Sequence, residues 1–203
     1  MKVGSTGSNS EELFLNLEQI IPTPEAKELM ISMSAKESDE KKTEQELKTR
    51  HTLRLAFWEK ALEVMRDSHC DLYNNINPTK DHWLCAGSGV TGCPYSMIFG
   101  AKEIRVEIWL GRSSKEDNKF MFDWLYEKRE QIEQPFEQEI EWLRLDDKKS
   151  SRIQLSKAVN GKDQTNWTDY IDWLVVHMNK LESSLKLLLP ELNTEVRSRS
   201  NNA

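Results

Sequence analysis

Between residues 104 and 110, Ile104, Val106, Ile108 and Leu110 alternate with Arg105, Glu107 and Trp109. A period of two puts the apolar four on one face of a strand and the other three on the opposite face. That is the pattern of a half-buried antiparallel strand. Such a strand needs partners along both edges and a cover for its apolar face, so the flanking chain must supply them.

The flanks carry the right signals. Trp83, Leu84 and Cys85 start a strand, and Gly87, Gly89, Gly92 and Pro94 mark turns after it. Met97, Ile98 and Phe99 form the next strand, with Gly100, Ala101 and Lys102 as a tight connection into the alternating run. Residues 111–118 read as a polar loop. Residues 120–132 then take up helical spacing, with Met121, Trp124, Leu125 and Ile132 inward and Pro135 closing the helix. Glu141, Trp142 and Leu143 open another strand, residues 146–149 turn it, and Arg152–Ile153–Gln154–Leu155 alternates as its partner.

Two long amphipathic stretches bracket these strands. Leu55, Trp58, Leu62 and Met65 recur at helical steps, widened by Phe57, Ala61 and Val64. Ile171, Leu174, Met178, Leu181, Leu185 and Leu188 do the same, predicting one long helix that ends at Pro190. The order helix, three strands, helix, two strands, helix predicts an α+β domain: an antiparallel sheet of about five strands packed against helices.

That domain spans residues 50–192. Residues 1–49 form a helical and polar N-terminal extension or linker, and residues 193–203 a disordered tail. Within the extension, Ser10 caps a short helix bearing Leu13, Leu17, Ile20 and Ile21, which Pro22 ends. Thr23 caps a second, with Pro24 at its first position. The Glu/Lys-rich residues 34–50 read as a solvated helix or connector.

Composition narrows the function classes. In 203 residues the formal net charge is −6, which argues against binding nucleic acid through the whole surface while leaving room for a local basic face. No apolar run approaches the ~20 residues of a membrane span, so no membrane contact is expected. Residues 1–10 lack the charged start and apolar core of a signal peptide. Three cysteines without repeated spacing fit a reducing compartment, and a cytoplasmic location is expected.

Several residue groups carry candidate chemistry. Glu107, Glu141 and Lys148, within the run Asp146–Asp147–Lys148–Lys149, would serve a nuclease that holds Mg²⁺ between carboxylates beside a lysine. The Asp and Glu-x-Lys pattern of such sites is not cleanly present, and a hairpin turn accounts for the charged run without catalysis. His82 and Cys85 have the spacing of a zinc knuckle, with His69, Cys70 and Cys93 nearby. A second knuckle is missing and no metal site is assigned. Gly87–Ser88–Gly89 lacks the flanks of a nucleophile elbow and reads as a turn.

For nucleic acid, Arg105, Trp109, Arg112, Lys149 and Arg152 are the candidates, with Lys115, Lys119 and Lys148 beside them. The arginines and lysines would meet phosphates and Trp109 would stack on a base. Ion pairing of Arg105 and Arg152 with Glu107 and Glu141 across the sheet is the plain structural account of the same residues. Leu187, Leu188 and Leu189 exceed one buried helix face and make the C-terminal helix a candidate homodimer seam.

A wider pattern joins these landmarks. Phe57–Trp58, Trp83 with the Gly87–Ser88–Gly89 turn and the strand at 104–110 come first. Lys119, Phe122, Leu125, Lys128 and Glu133 follow, then Glu141–Trp142, Ser151–Arg152–Ile153, Trp167 and Trp173. Together they resemble the bacterial and archaeal family catalogued as domain of unknown function number 4268, over roughly residues 50–192. The resemblance implies a C-terminal module placed after nuclease-like domains of the PD-(D/E)XK type, in DNA restriction, repair or phage defence. Residues 1–48 are too short and polar to be such a nuclease, and the family supplies no catalytic residues to carry over.

The functional expectation is therefore a non-catalytic accessory module of a nuclease-associated system. Its partners would be DNA or RNA, or a nuclease or other defence protein, and no cofactor is expected. The alternative is a divergent metal-dependent PD-(D/E)XK-like nuclease, for which alone Mg²⁺ would be required.

Overall fold

A computed structural model describes residues 44–201. Helix α1 (Glu44–Arg66) leads through a 3-10 turn (Asp71–Tyr73) to strands β1 (Trp83–Ala86), β2 (Tyr95–Phe99) and β3 (Glu103–Leu110). Helices α2 (Lys115–Tyr126) and α3 (Arg129–Glu133) follow, then β4 (Glu141–Leu143) and β5 (Ser151–Ala158). A second 3-10 turn (Gln164–Asn166) enters α4 (Trp167–Leu185), and α5 (Leu188–Asn201) ends the described chain. The strands form one antiparallel sheet in the order β1-β2-β3-β5-β4. This is the α+β architecture that the periodicities predict. The helices expected before residue 44, at Ser10 and Thr23, lie outside the described residues.

Register decides what each face carries. Tyr95 pairs with Ile108, Met97 with Val106 and Phe99 with Ile104, while Ile153 and Leu155 flank Ile108 and Val106 from the other side. Cross-strand partners share a face, so these side chains form one apolar surface. It merges with buried residues from all five described helices, among them Phe57, Met121, Ile132, Leu174 and Leu192, into a single cluster. At its centre the Phe57 ring stacks on Phe99 at 3.6 Å, with the Trp58 and Trp167 rings edge-on to Phe57.

Local chemistry sets several boundaries. Ser114 caps α2 by accepting a hydrogen bond from the Asp117 amide at 3.0 Å, and Glu116 and Asp117 put negative charge at the positive end of the helix dipole. The helix thus begins at Lys115, inside the stretch expected to be loop. It also divides near residue 127, so the single helix expected over 120–132 is α2 followed by the one-turn α3.

The C-terminal region departs further from expectation. Pro190 does not end a helix; it sits in the first turn of α5, where its missing N–H costs nothing. The stretch from Asn193, expected to be a loose tail, continues α5 to Asn201, and this helix buries Leu192 and Val196 completely. Of the three consecutive leucines, Leu188 and Leu189 are buried in this chain's own core and Leu187 is 77% exposed. Leu187 lies in the link between α4 and α5, and Leu188 and Leu189 open α5.

Packing around α4 makes one pH-dependent contact. His177 stacks on Trp173 at 4.2 Å, and its Nδ1 lies 2.7 Å from the Trp173 carbonyl oxygen, which only accepts, so Nδ1 carries the proton. Burial pushes this histidine below its ordinary 6.5, with the Trp173 carbonyl opposing and Lys180 and Lys157 adding to the fall. The folded chain then binds fewer protons here than the unfolded one. This contribution is complete above pH ~6.5 and is lost as pH falls toward the lowered value. Urea midpoints measured at pH 7.5 and 5.5 are expected to differ less in His177→Gln than in the native chain.

Candidate functional site

The second face of the sheet is the unusual one. Ile98 and Trp109 are buried yet stand outside the helix-packed core. Both belong to the face opposite it, with Trp83, Cys85, Ser96, Arg105, Glu107, Arg152, Gln154, Ser156 and Glu141. The alternation in β3 predicts a solvated outer face, but Arg105 is 6%, Glu107 0% and Trp109 6% exposed. The reason is position. β3 is the central strand, paired along both edges, and its outward Glu107 meets the guanidinium groups of Arg105 and Arg152.

The register lines these side chains into rows across the sheet. The middle row reads Cys85, Ser96, Glu107, Gln154, Glu141, one residue from each of the five strands. On one side lies Trp83, Ile98, Arg105, Ser156; on the other lies Trp109, Arg152, Leu143. Glu107 Oε2 accepts from Arg105 Nε at 3.0 Å and lies 4.0 Å from an Arg152 terminal nitrogen. Arg105 also reaches Glu103 at 2.6 Å. Glu141 accepts from Gln154 Nε2 at 3.0 Å and from Ser156 Oγ at 2.8 Å. The expected pairing of Arg152 with Glu141 is therefore replaced: Arg152 approaches Glu107, and Glu141 is held by neutral donors.

Burial shapes the electrostatics. It pulls the Arg152 guanidinium below its usual range, with Glu107 opposing. It pushes the Cys85 thiol up to about 11, with the Ser96 hydroxyl 3.2 Å from its sulfur. Cys85 is thus a neutral thiol near pH 7 and a poor nucleophile. Among the described residues no three His, Cys, Asp or Glu gather where they could hold a metal ion. His82 and Cys85 form no such group with Cys70 or Cys93, both of which are buried.

Four polar atoms on this face are buried without a hydrogen-bond partner: Glu107 Oε1, Gln154 Oε1, Trp109 Nε1 and Arg152 Nε. Among the described residues only two further side-chain atoms share that condition, Arg50 Nε and Trp173 Nε1. Each buried polar atom left unpaired costs about 1–3 kcal/mol, so four in one patch of sheet is a concentrated cost. The two acceptors are neighbours in the middle row, and the two donors are neighbours in the next.

The remaining sequence candidates fall elsewhere. Arg112 ties loops to helix α5, donating from Nε to the Thr91 carbonyl at 3.1 Å and from a terminal nitrogen to Asn193 Oδ1 at 3.1 Å. Lys148 and Lys149 are exposed in the β4–β5 hairpin, away from the middle row. Lys119 is buried, and its ammonium donates to the carbonyls of Arg144, Leu145 and Ser150 and to Ser151 Oγ. Ser88 accepts from the Val90 amide at 3.2 Å, as a turn residue does. Trp109 does not stand out as a free stacking platform. Its indole lies against Gly111, where a Cβ would come within 2.1 Å of Nε1.

The structure thus brings Arg105, Glu107, Trp109, Arg152 and Glu141 onto one face and leaves Arg112, Lys148 and Lys149 off it. Sequence reasoning missed Trp83 and Gln154 as members. Gln154 was visible in the alternation of residues 152–155, but only the register places it beside Glu107. Comparison with curated proteins and with solved structures gives no match. A family model does match, over residues 53–188, which take in α1 from Leu53, all five strands and α2 to α4. The chain belongs to the family described as a domain of unknown function, DUF4268.

Proposed function

We propose that this chain is a non-catalytic accessory module of a nuclease-associated system and that its polar sheet face contacts single-stranded nucleic acid. The observation that carries this is the set of four buried, unpartnered polar atoms on Glu107, Gln154, Trp109 and Arg152, with Trp83 and Arg105 in the adjoining row. Base edges supply matching donors and acceptors, and a sheet face with an aromatic side chain is a recurrent platform for unpaired bases. Trp83, half-buried on the edge strand β1, is the stacking candidate. The nuclease-associated setting is what the family resemblance implies. The carboxylates Glu107 and Glu141 belong to the binding face here, the first paired with arginine and the second with Gln154 and Ser156.

The charge on this face makes the test specific. Arg105 and Arg152 are offset by Glu103, Glu107 and Glu141, so few phosphates are neutralised. Fluorescence anisotropy with single-stranded DNA and RNA is expected to show binding with a shallow salt dependence. A slope near −1, as for about one or two phosphates, is the anticipated value. Duplexes, whose base edges are occupied, are expected to bind more weakly. Absence of binding to any nucleic acid at low salt would refute the proposal and leave protein contact.

A further inference from the structure

We infer that the polar sheet face selects guanine, through Glu107 and Gln154 on the base's donor edge and Trp109 and Arg152 on its O6. This rests on the single-strand reading above and adds the identity of the base. The unpartnered acceptors, Glu107 Oε1 and Gln154 Oε1, belong to side chains directly opposite each other on β3 and β5. They call for two adjacent N–H groups. The unpartnered donors, Trp109 Nε1 and Arg152 Nε, are directly opposite each other two residues along, roughly 7 Å away by strand rise. They call for an acceptor on the same ligand.

Guanine is the base with that order. N2–H and N1–H stand side by side and O6 follows on the same edge, so a carboxylate takes the donors while indole and guanidinium N–H groups meet the oxygen. Adenine and cytosine present one amine beside an acceptor, and uracil or thymine one N–H between two acceptors. A guanidinium ligand would satisfy Glu107 and Gln154, but it has no acceptor and would place its charge against Arg152. The four atoms are buried, so entry needs one side chain to swing aside and close again over the base. Gln154 is placed for this: its amide nitrogen is held by Glu141, which is exposed on the edge strand β4. Trp83, in the row on the other side of Glu107, would take the stacked neighbouring base.

The test uses the full chain and short thymidine oligonucleotides carrying one central guanine, inosine, adenine or cytosine, read by fluorescence anisotropy. Guanine is expected to bind about tenfold tighter than adenine or cytosine. Inosine, which lacks only the N2 amine, is expected to fall between them. In Glu107→Gln the ratio of guanine to adenine affinity is expected to shrink to within about twofold; Gln154→Met, checked alongside for a native thermal transition, is expected to narrow it as well. Equal affinities for guanine, inosine and adenine would overturn the base assignment while single-strand binding stands, as would an undiminished guanine preference in folded Glu107→Gln. No binding by any of the four would overturn both.

Discussion

Lys119→Met is expected to destabilise the fold by about 3–5 kcal/mol, because several oxygens lose their donor together at about 1–3 kcal/mol each where they stay buried. Lys119 is 7% exposed, and its ammonium gathers three main-chain carbonyls, from Arg144, Leu145 and Ser150, with the Ser151 hydroxyl. Those oxygens belong to the β4–β5 hairpin, in which Leu145 takes a left-handed φ of 54°. The converging donors hold a backbone conformation that a leucine resists. Without them the carbonyls must find water or stay unpaired, and the hairpin loosens. Urea unfolding should report the loss, and hydrogen exchange should show faster amides over residues 144–150. Lys119→Arg is not expected to rescue, because a planar guanidinium cannot aim its donors at oxygens clustered around one point. A loss below ~1 kcal/mol with the hairpin amides still protected would contradict this account.

Phe57→Ala is expected to cost a similar amount, about 3–5 kcal/mol, by a different mechanism. Phe57 is fully buried and joins three elements: its ring stacks on Phe99 of β2 and meets the edges of Trp58 in α1 and Trp167 in α4. Removing the ring leaves a cavity bounded by rigid aromatics, which collapse poorly. Leu187→Ala is the matched control, because that side chain is 77% exposed and its truncation should fall within ~0.5 kcal/mol. Thermal or urea unfolding of the two variants side by side checks both. Equal stabilities would mean that the aromatic stack is not the centre of the core.

These two residues also mark what could be read from the chain alone. Phe57 lies in a helical stripe with Trp58, Ala61 and Leu62, and its burial was predictable because hydrophobic period reports burial directly. Lys119 was misread. As a charged residue among Arg112 and Lys115 it looked like part of a basic surface, yet it is an internal clamp. Nothing local distinguishes a solvated lysine from one whose ammonium meets carbonyls roughly 25 to 30 residues later. The same limit applies to α5. Pro190 signals the end of a helix or the first turn of the next, and the choice fell to Leu192 and Val196, which pack against the core.

By itself the sequence determined the α+β class, the order of the strands along the chain and which residues of each strand share a face. Those follow from backbone periodicity, a property of neighbours along the chain. Only the tertiary structure decided the rows across the sheet. Strand register brings Cys85, Ser96, Glu107, Gln154 and Glu141 into one line, and it sets Arg152 of β5 beside Glu107 of β3. It also buries a face whose alternation had read as solvated. A shift of register by two residues would keep every side chain on its face and break every one of these contacts. Because such a shift leaves the hydrophobic pattern satisfied, the pattern carries no record of which register holds.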